Sequence, residues 1–395
     1  MIARPVRKVW LYSALLVFGL LAAQLGGTSD AVRHPELAAA VRVATMAALA
    51  FIMIHVGFEF ELDRSRLKSY AWDYVVAGTA AAFPWILCCL YFVYVLAARE
   101  RWSDAQLWKE SLLAARFAAP TSAGVLFAML AAAGLSATWV FRKARVLAIF
   151  DDLDTVLLMI PLKMLLVGPS WQLVVVVLIM AALLWLAWSR MHAIRWPTSW
   201  PWVLGYALVI TAVCEGIHAG SLWIDDAVPV HLEVLLPAFV LGCVLVRDHG
   251  AAHEASEERA SSWISAVFMV LVGLSMPPVA STASGETAFD WGTLALHVLA
   301  LTVISNLGKC FALLCYRREA SLRERLALSV AMFPRGEVGA GILVVSIGYG
   351  ITGIALTAAM LSLALNLVLT GFFIVLVKRL VRDADVPAAS PVAAR

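Results

Sequence analysis

Charge is what this sequence has least of. Of its 395 residues only 14% are Asp, Glu, Lys or Arg, while 62% are hydrophobic; an average soluble domain carries roughly 25% charged residues. A water-facing surface cannot be covered at that ratio. Together with a mean hydropathy of +0.87, it excludes a soluble enzyme or binding module. Cysteine is scarce too: Cys88, Cys89, Cys214, Cys243, Cys310 and Cys315 all lie inside apolar runs, with no CxxC pair and no histidine at ligand spacing. Buried cysteine behaves as a small hydrophobe, so neither a zinc site nor a disulfide framework is expected. The formal charge of +3 is small and scattered, which argues against a nucleic-acid partner. Polar stretches are short, the longest being RDHGAAHEASEERASS (247–262), and 383–395 reads as a short Ala/Pro-rich cytoplasmic tail. Neither has room for a catalytic or nucleotide-binding module. An intramembrane protease, the most distant alternative, finds no HExxH and no GxSxG serine here.

What the chain does have is long apolar runs. About 20 such residues cross a bilayer, and twelve intervals qualify: 10–27, 37–58, 71–97, 107–134, 138–167, 171–189, 201–220, 230–246, 263–279, 291–316, 326–347 and 352–377. The first follows Arg4, Arg7 and Lys8 as a signal peptide would, but it lacks a small-residue cleavage site and reads as a retained helix. One alternating set of connections holds 21 basic residues and the other only Arg33, Arg99, Arg101 and Lys109. By the positive-inside rule both termini are cytoplasmic. The expected fold class is therefore an all-α polytopic membrane protein of about 12 transmembrane helices, forming a single membrane domain over 1–395.

Two spans are interrupted. AAPTSAG in span 4 and FPRGEVGAG in span 11 place Pro120 and Pro334 near the middle of apolar runs, where helix continuation is disfavoured. The prolines are 214 residues apart; Gly57-Phe58-Glu59 precedes Gly273-Leu274-Ser275 by 216; and a shift of 214 from Asp152 lands on Asn366, the most polar residue of span 12. A shift of seven spans reverses direction, so the pattern reads as an inverted repeat with two broken crossing helices. Half-helix ends aim partial charges at the midplane, and Arg335 and Glu337 are candidates to neutralise them. The alternative is that Pro120 and Pro334 only kink packed helices.

Span 5 carries AIFDDLDTVLLMIPL, three acids within hydrocarbon. A charge at a bilayer centre costs roughly 3 kcal/mol or more. Asp152 follows Arg145 by seven residues and Lys309 precedes Arg317 by eight, so both lie about 10–12 Å from the cytoplasmic surface at 1.5 Å per residue. Successive residues diverge by about 100°, so Asp151 and Asp152 cannot both face one neighbour. One pairs with Lys309; the other faces a cavity, free to exchange a proton for a hard cation. The structural alternative is an ion pair that merely locks spans 5 and 10, with Asp154 reaching for the inner surface. Of the basic residues inside or beside spans (Arg42, Arg116, Lys163, Lys309, Arg335), Lys309 and Arg335 are the costly ones.

FIMIHVGFEFELDRSRLK, AAPTSAGVLFAML, VLAIFDDLD, NLGKCFALLCYRR and RLALSVAMFPRGEVG, in this order, resemble the cation:proton antiporter superfamily, in particular its bacterial sodium/proton and potassium/proton members with a paired-aspartate helix. The resemblance implies a secondary antiporter, not an enzyme, exchanging Na⁺ or K⁺ for protons by alternating access, with no cofactor and no resident metal. Under it, Asp152 is the ion-binding carboxylate, Asp151 the partner of Lys309, and Thr121 and Ser122 line the break. It further implies a core of spans 3–5 and 10–12 (about 71–167 and 291–377), a scaffold (about 10–58 and 201–279), a linker helix (171–189), and a homodimer in the inner (plasma) membrane whose partners are lipid, cation and protons. Paired acids beside Lys309 point to electrogenic exchange. A sodium-coupled symporter of an organic solute on the same fold is the alternative. The chain departs from the pattern at Phe58 and Glu59, in having one N-terminal helix, and at Glu215 and His218 of span 7, which with Asp225, Asp226, His231 and Glu233 read as a solvated outer vestibule, with a pH sensor or a weak metal site as the alternatives.

Overall fold

A computed structural model of the chain describes residues 4–26, 35–58, 60, 67–167, 171–222, 234–246, 251–276, 291–348, 351 and 353–384. Within them every apolar interval holds a helix or a broken pair. The first three hold α1 (Arg4–Gly26), α2 (Pro35–Phe58) and α3 (Leu67–Tyr91), the last continuing through a π-turn at Phe92–Leu96. The fourth is split into α4 (Ala105–Ala115), a 3₁₀ turn (Arg116–Ala118) and α5 (Ala123–Ala132). Five helices follow: α6 (Trp139–Val167), α7 (Trp171–Ser189), α8 (Trp200–Leu222), α9 (Leu235–Val244) and α10 (Ala251–Leu274). The tenth interval is α11 (Trp291–Lys309) with one further turn, α12 (Ala312–Cys315). The eleventh is split into α13 (Leu322–Ala331) and α14 (Glu337–Gly348), and α15 (Ile354–Ala384) is last. Seven helical stretches among the described residues are long and apolar enough to cross a membrane.

One boundary differs from the sequence reading. The segment 247–262, expected as a polar connection, is helical from Ala251 onward. Its Ala, Glu and Arg residues are strong helix formers, so α10 extends well beyond its apolar part.

Most helices pack on several others. α1 lies on α10 and α15, α2 on α8, α9 and α10, while α3 packs on α6 and α11, and α13 on α6 and α15. The tightest crossings are made by glycine. A Cβ on Gly57 would strike the Phe239 carbonyl oxygen and lie 2.7 Å from the Gly242 Cα, and one on Gly242 would strike the Ile54 carbonyl; α2 and α9 therefore meet backbone to backbone, as small residues allow in membranes. On α11, Gly308 sits against the backbone of Pro84 in α3, which sets the height at which Lys309, the next residue, enters the interior.

At one end of this group a buried cluster ties three elements. Lys143 of α6 donates to both Asp73 oxygens, at 2.8 and 3.1 Å, and lies 3.0 Å from Glu319, while the Tyr316 hydroxyl donates to Asp73 at 2.8 Å. The Lys143 ammonium also sits 4.6 Å above the Tyr316 ring. With the charge so covered, the ends of α3, α6 and α12 are held together.

Gly242→Leu is expected to destabilise the protein by about 2 kcal/mol, the scale of overpacking, seen as a lower melting temperature of the purified protein. Gly205→Ala on α8, where an added Cβ meets nothing within 4 Å, is expected to leave it unchanged.

Candidate functional site

The two breaks touch. α4 ends because Pro120 cannot donate to the helix, and the chain restarts at Ser122, whose hydroxyl caps α5 by accepting from the Val125 N–H. α13 ends at Ala331, and α14 begins three residues after Pro334. Between them the Ser122 N–H donates to the Pro334 carbonyl at 3.0 Å, and the Thr121 hydroxyl to the Met332 carbonyl at 3.1 Å. Gly336 permits this approach: a Cβ there would lie 3.0 Å from the Ser122 oxygen. Backbone groups freed at one break thus find partners at the other, and irregular backbone at membrane depth is tolerated where it is buried in protein in this way.

Full charges complete the crossing. Lys309 Nζ donates to the Ala119 carbonyl at 2.6 Å and to Asp151 Oδ2 at 2.9 Å. The same carboxylate oxygen accepts the Thr121 N–H at 2.7 Å. A cation therefore meets the carbonyl end of the first half-span, and an anion meets the N–H end of the second, as the helix dipole favours. Both side chains are wholly buried.

Arg335 does the same at a second point. Its Nε donates to the Ala118 carbonyl at 3.0 Å, Nη2 to the Ser305 carbonyl at 2.9 Å, and Nη1 to the Asn306 side-chain oxygen at 2.7 Å. Asn366 receives the Arg335 backbone N–H at 3.1 Å and donates to Asn306, also at 3.1 Å. Asn306 was not singled out in the sequence, although it lies three residues before Lys309, on the same helix face.

Of the predicted residues, the structure gathers Asp151, Thr121, Ser122, Lys309, Arg335, Asn366, Pro120 and Pro334 at this crossing. The side chains of Asp152 on α6, Glu337 at the start of α14 and Lys163 lie outside the described residues. Glu215 pairs with Arg42 of α2 at 2.6 Å, both side chains partly exposed; with His218 it belongs to α8, which packs on α2, α9 and α10 rather than beside the breaks. Asp225, Asp226, His231, Glu233 and Glu59 lie outside the described residues.

Two further charged residues are buried near the crossing. Arg116, one of the basic residues inside or beside spans, is fully buried: α4 stops at Ala115, so the arginine occupies the turn itself, 4.6 Å over the Trp85 ring, donating to the Asp154 carbonyl at 3.2 Å. A proline that ends a helix inside the bilayer draws the residues just before it inward, and that was the available signal. Asp154, which the alternative of a merely locking ion pair had reaching for the inner surface, is 5% exposed and faces Gly78 of α3. It lies nine residues beyond Arg145, roughly 13 Å of helix, and an aspartate has no long stem with which to snorkel.

Lys309→Ala is expected to cost about 3–5 kcal/mol, because it leaves Asp151 buried without its cation, and to lower the melting temperature accordingly. Pairing Lys309→Met with Asp151→Asn is expected to restore most of the loss in the same thermal assay.

No protein-family model matches the chain, and no curated protein matches it. Among solved structures, the sodium proton antiporter MjNhaP1 from Methanocaldococcus jannaschii at pH 8 is similar, with a TM-score of 0.58 over 91% of each chain at 16% sequence identity. At that identity the similarity is one of architecture: this chain is a membrane protein, helical in nearly all its ordered elements among the described residues, with the fold of that antiporter.

Proposed function

We propose that the chain is a secondary antiporter that exchanges a monovalent cation, Na⁺ or K⁺, for protons by alternating access. The observation that carries this reading is the buried Lys309–Asp151 pair seated where two broken helices cross. A permanently lipid-embedded acid is expensive unless it is used, and here it is supplied with an ammonium, a backbone N–H and two facing helix ends. Support comes also from the shared fold with a sodium proton antiporter.

In this reading Asp152 is the exchanging group. Its neighbour Asp151 is occupied by Lys309 and Thr121, so Asp152, about 100° around the helix, takes either a proton or a cation. The two species compete for the same oxygen atoms: a hard cation needs the ionised carboxylate, and a proton abolishes it. The helices that carry the breaks (α3–α6 and α11–α15) move against α1, α2, α8, α9 and α10, presenting the site to each side in turn. α7 links the two groups, and the working unit is a homodimer in the plasma membrane with both termini cytoplasmic. Glu215 and His218 on α8 remain the candidate pH-sensing pair.

Purified protein in vesicles holding an imposed pH gradient is expected to dissipate that gradient when Na⁺ or K⁺ is added, and Asp152→Asn is expected to reduce the rate to that of empty vesicles. Full-rate exchange by Asp152→Asn would refute the assignment.

A further inference from the structure

Helices α1 and α10 run side by side in the same direction. Gly19 and Gly273 bring them together: a Cβ on Gly19 would strike the Val270 carbonyl oxygen, and one on Gly273 the Leu16 carbonyl oxygen. Two turns nearer the start of α1, the Tyr12 hydroxyl spans the pair by donating to the Ser262 carbonyl at 3.1 Å. One turn further lies a cavity of about 290 Å³, walled by Lys8 from α1 and by Glu258, Arg259, Ser262 and Trp263 from α10.

The position of this cavity in the bilayer follows from the tryptophans. Trp263 is 74% exposed, and Trp10, two residues after Lys8, is 51% exposed; indoles at the ends of membrane helices lie at the level of the lipid headgroups. On the bilayer side of them, Leu11 and Phe18 of α1 and Val267 of α10 leave large apolar side chains exposed. Polar walls at headgroup level thus continue into an apolar flank. Pockets for drug-sized ligands run from roughly 300 to 1,000 Å³, so this one takes a headgroup and leaves any attached chains outside. Its chemistry is that of an anion site. Arg259 brings a planar fork of donors suited to phosphate oxygens and Lys8 a compact ammonium, while Ser262 adds a hydroxyl. Two cations against the single Glu258 carboxylate leave the wall with one net positive charge.

We propose that the cavity between α1 and α10 binds the headgroup of an anionic phospholipid, its phosphodiester held by Lys8 and Arg259 and its acyl chains lying against Leu11 and Val267. One phosphodiester charge matches the one net charge of the wall. Inorganic phosphate offers the same oxygens, but only a lipid also covers the exposed Trp263 ring and the apolar flank. Lys8 and Arg259 belong to the basic residues that the positive-inside rule places in the cytoplasm, and basic pockets between helices on that side are suited to anionic headgroups. The inference concerns binding: it takes its leaflet from the proposed orientation and does not rest on cation exchange.

Native mass spectrometry of the purified protein, released from bilayers of phosphatidylglycerol mixed with phosphatidylethanolamine, tests it. The parent is expected to retain phosphatidylglycerol in preference, and its melting temperature in detergent is expected to rise with added phosphatidylglycerol but not with phosphatidylethanolamine or inorganic phosphate. Combining Lys8→Gln with Arg259→Gln is expected to lower retention by about twentyfold, each cation near anionic lipid contributing roughly a factor of five, and to abolish the thermal shift. The melting temperature of this variant without added lipid is expected to equal that of the parent, which separates lost binding from lost folding. Glu258→Gln, which removes the one wall charge that repels phosphate, is expected to raise retention. Equal retention of phosphatidylglycerol by the parent and the double variant would overturn the proposal, as would equal retention of the zwitterionic lipid by the parent or displacement of the bound lipid by inorganic phosphate at matched concentration. Should the parent exchange no cation, the antiport reading fails while these measurements still decide the lipid site.

Discussion

The Lys309 ammonium lies between a main-chain carbonyl, Ala119, and a carboxylate, Asp151, which also takes the N–H of Thr121. Four groups that would each be costly alone in hydrocarbon satisfy one another. A helix broken inside a bilayer leaves orphan carbonyls on one side and orphan N–H groups on the other, and a buried ion pair leaves lone pairs and protons to be filled. Here each defect supplies what the other lacks. Low local dielectric strengthens every such contact while it is made and penalises each one lost, so break and charges stand or fall together.

The rest of the fold serves to hold this crossing in register. Arg335 binds carbonyls of the first break and of α11, and Asn306 and Asn366 join α11 and α15 to it. Gly308 lets α11 approach the backbone of α3 at Pro84, and the Asp73–Lys143–Tyr316 cluster fastens α3, α6 and the end of α12 at another level. The helices carrying ionisable groups are thereby joined to each other through polar contacts. α1, α2, α9 and α10 are joined by close backbone crossings at glycine and by the Tyr12–Ser262 and Thr45–Ser275 hydrogen bonds.

Much of this architecture was legible before any coordinates. Twelve apolar intervals each contain a helix or a broken pair, because hydropathy over about 20 residues is dictated by the bilayer itself. Pro120 and Pro334 marked the interruptions because the missing N–H is a local property. Matching depth, counted from Arg145 and Arg317, brought Lys309 to the level of the acids. Depth could not say which aspartate meets the lysine, since neighbouring residues share a height and differ in azimuth. Nor did it reveal Arg116 in the break, Asn306 beneath Arg335, or Asp154 against α3. The Ala/Glu-rich segment after 250 was read as a connection because its polarity outweighed its helix propensity.

The sequence by itself determined which stretches enter the membrane, where two of them must break, and how deep each charge lies, because these follow from hydropathy, proline chemistry and the rise per residue. Only the tertiary structure decided which way each buried charge points and what it meets. Azimuth depends on how helices far apart in the chain pack: Gly308 on Pro84, Gly78 opposite Asp154, Thr121 on Met332. That information belongs to pairs of segments, and neither member carries it alone.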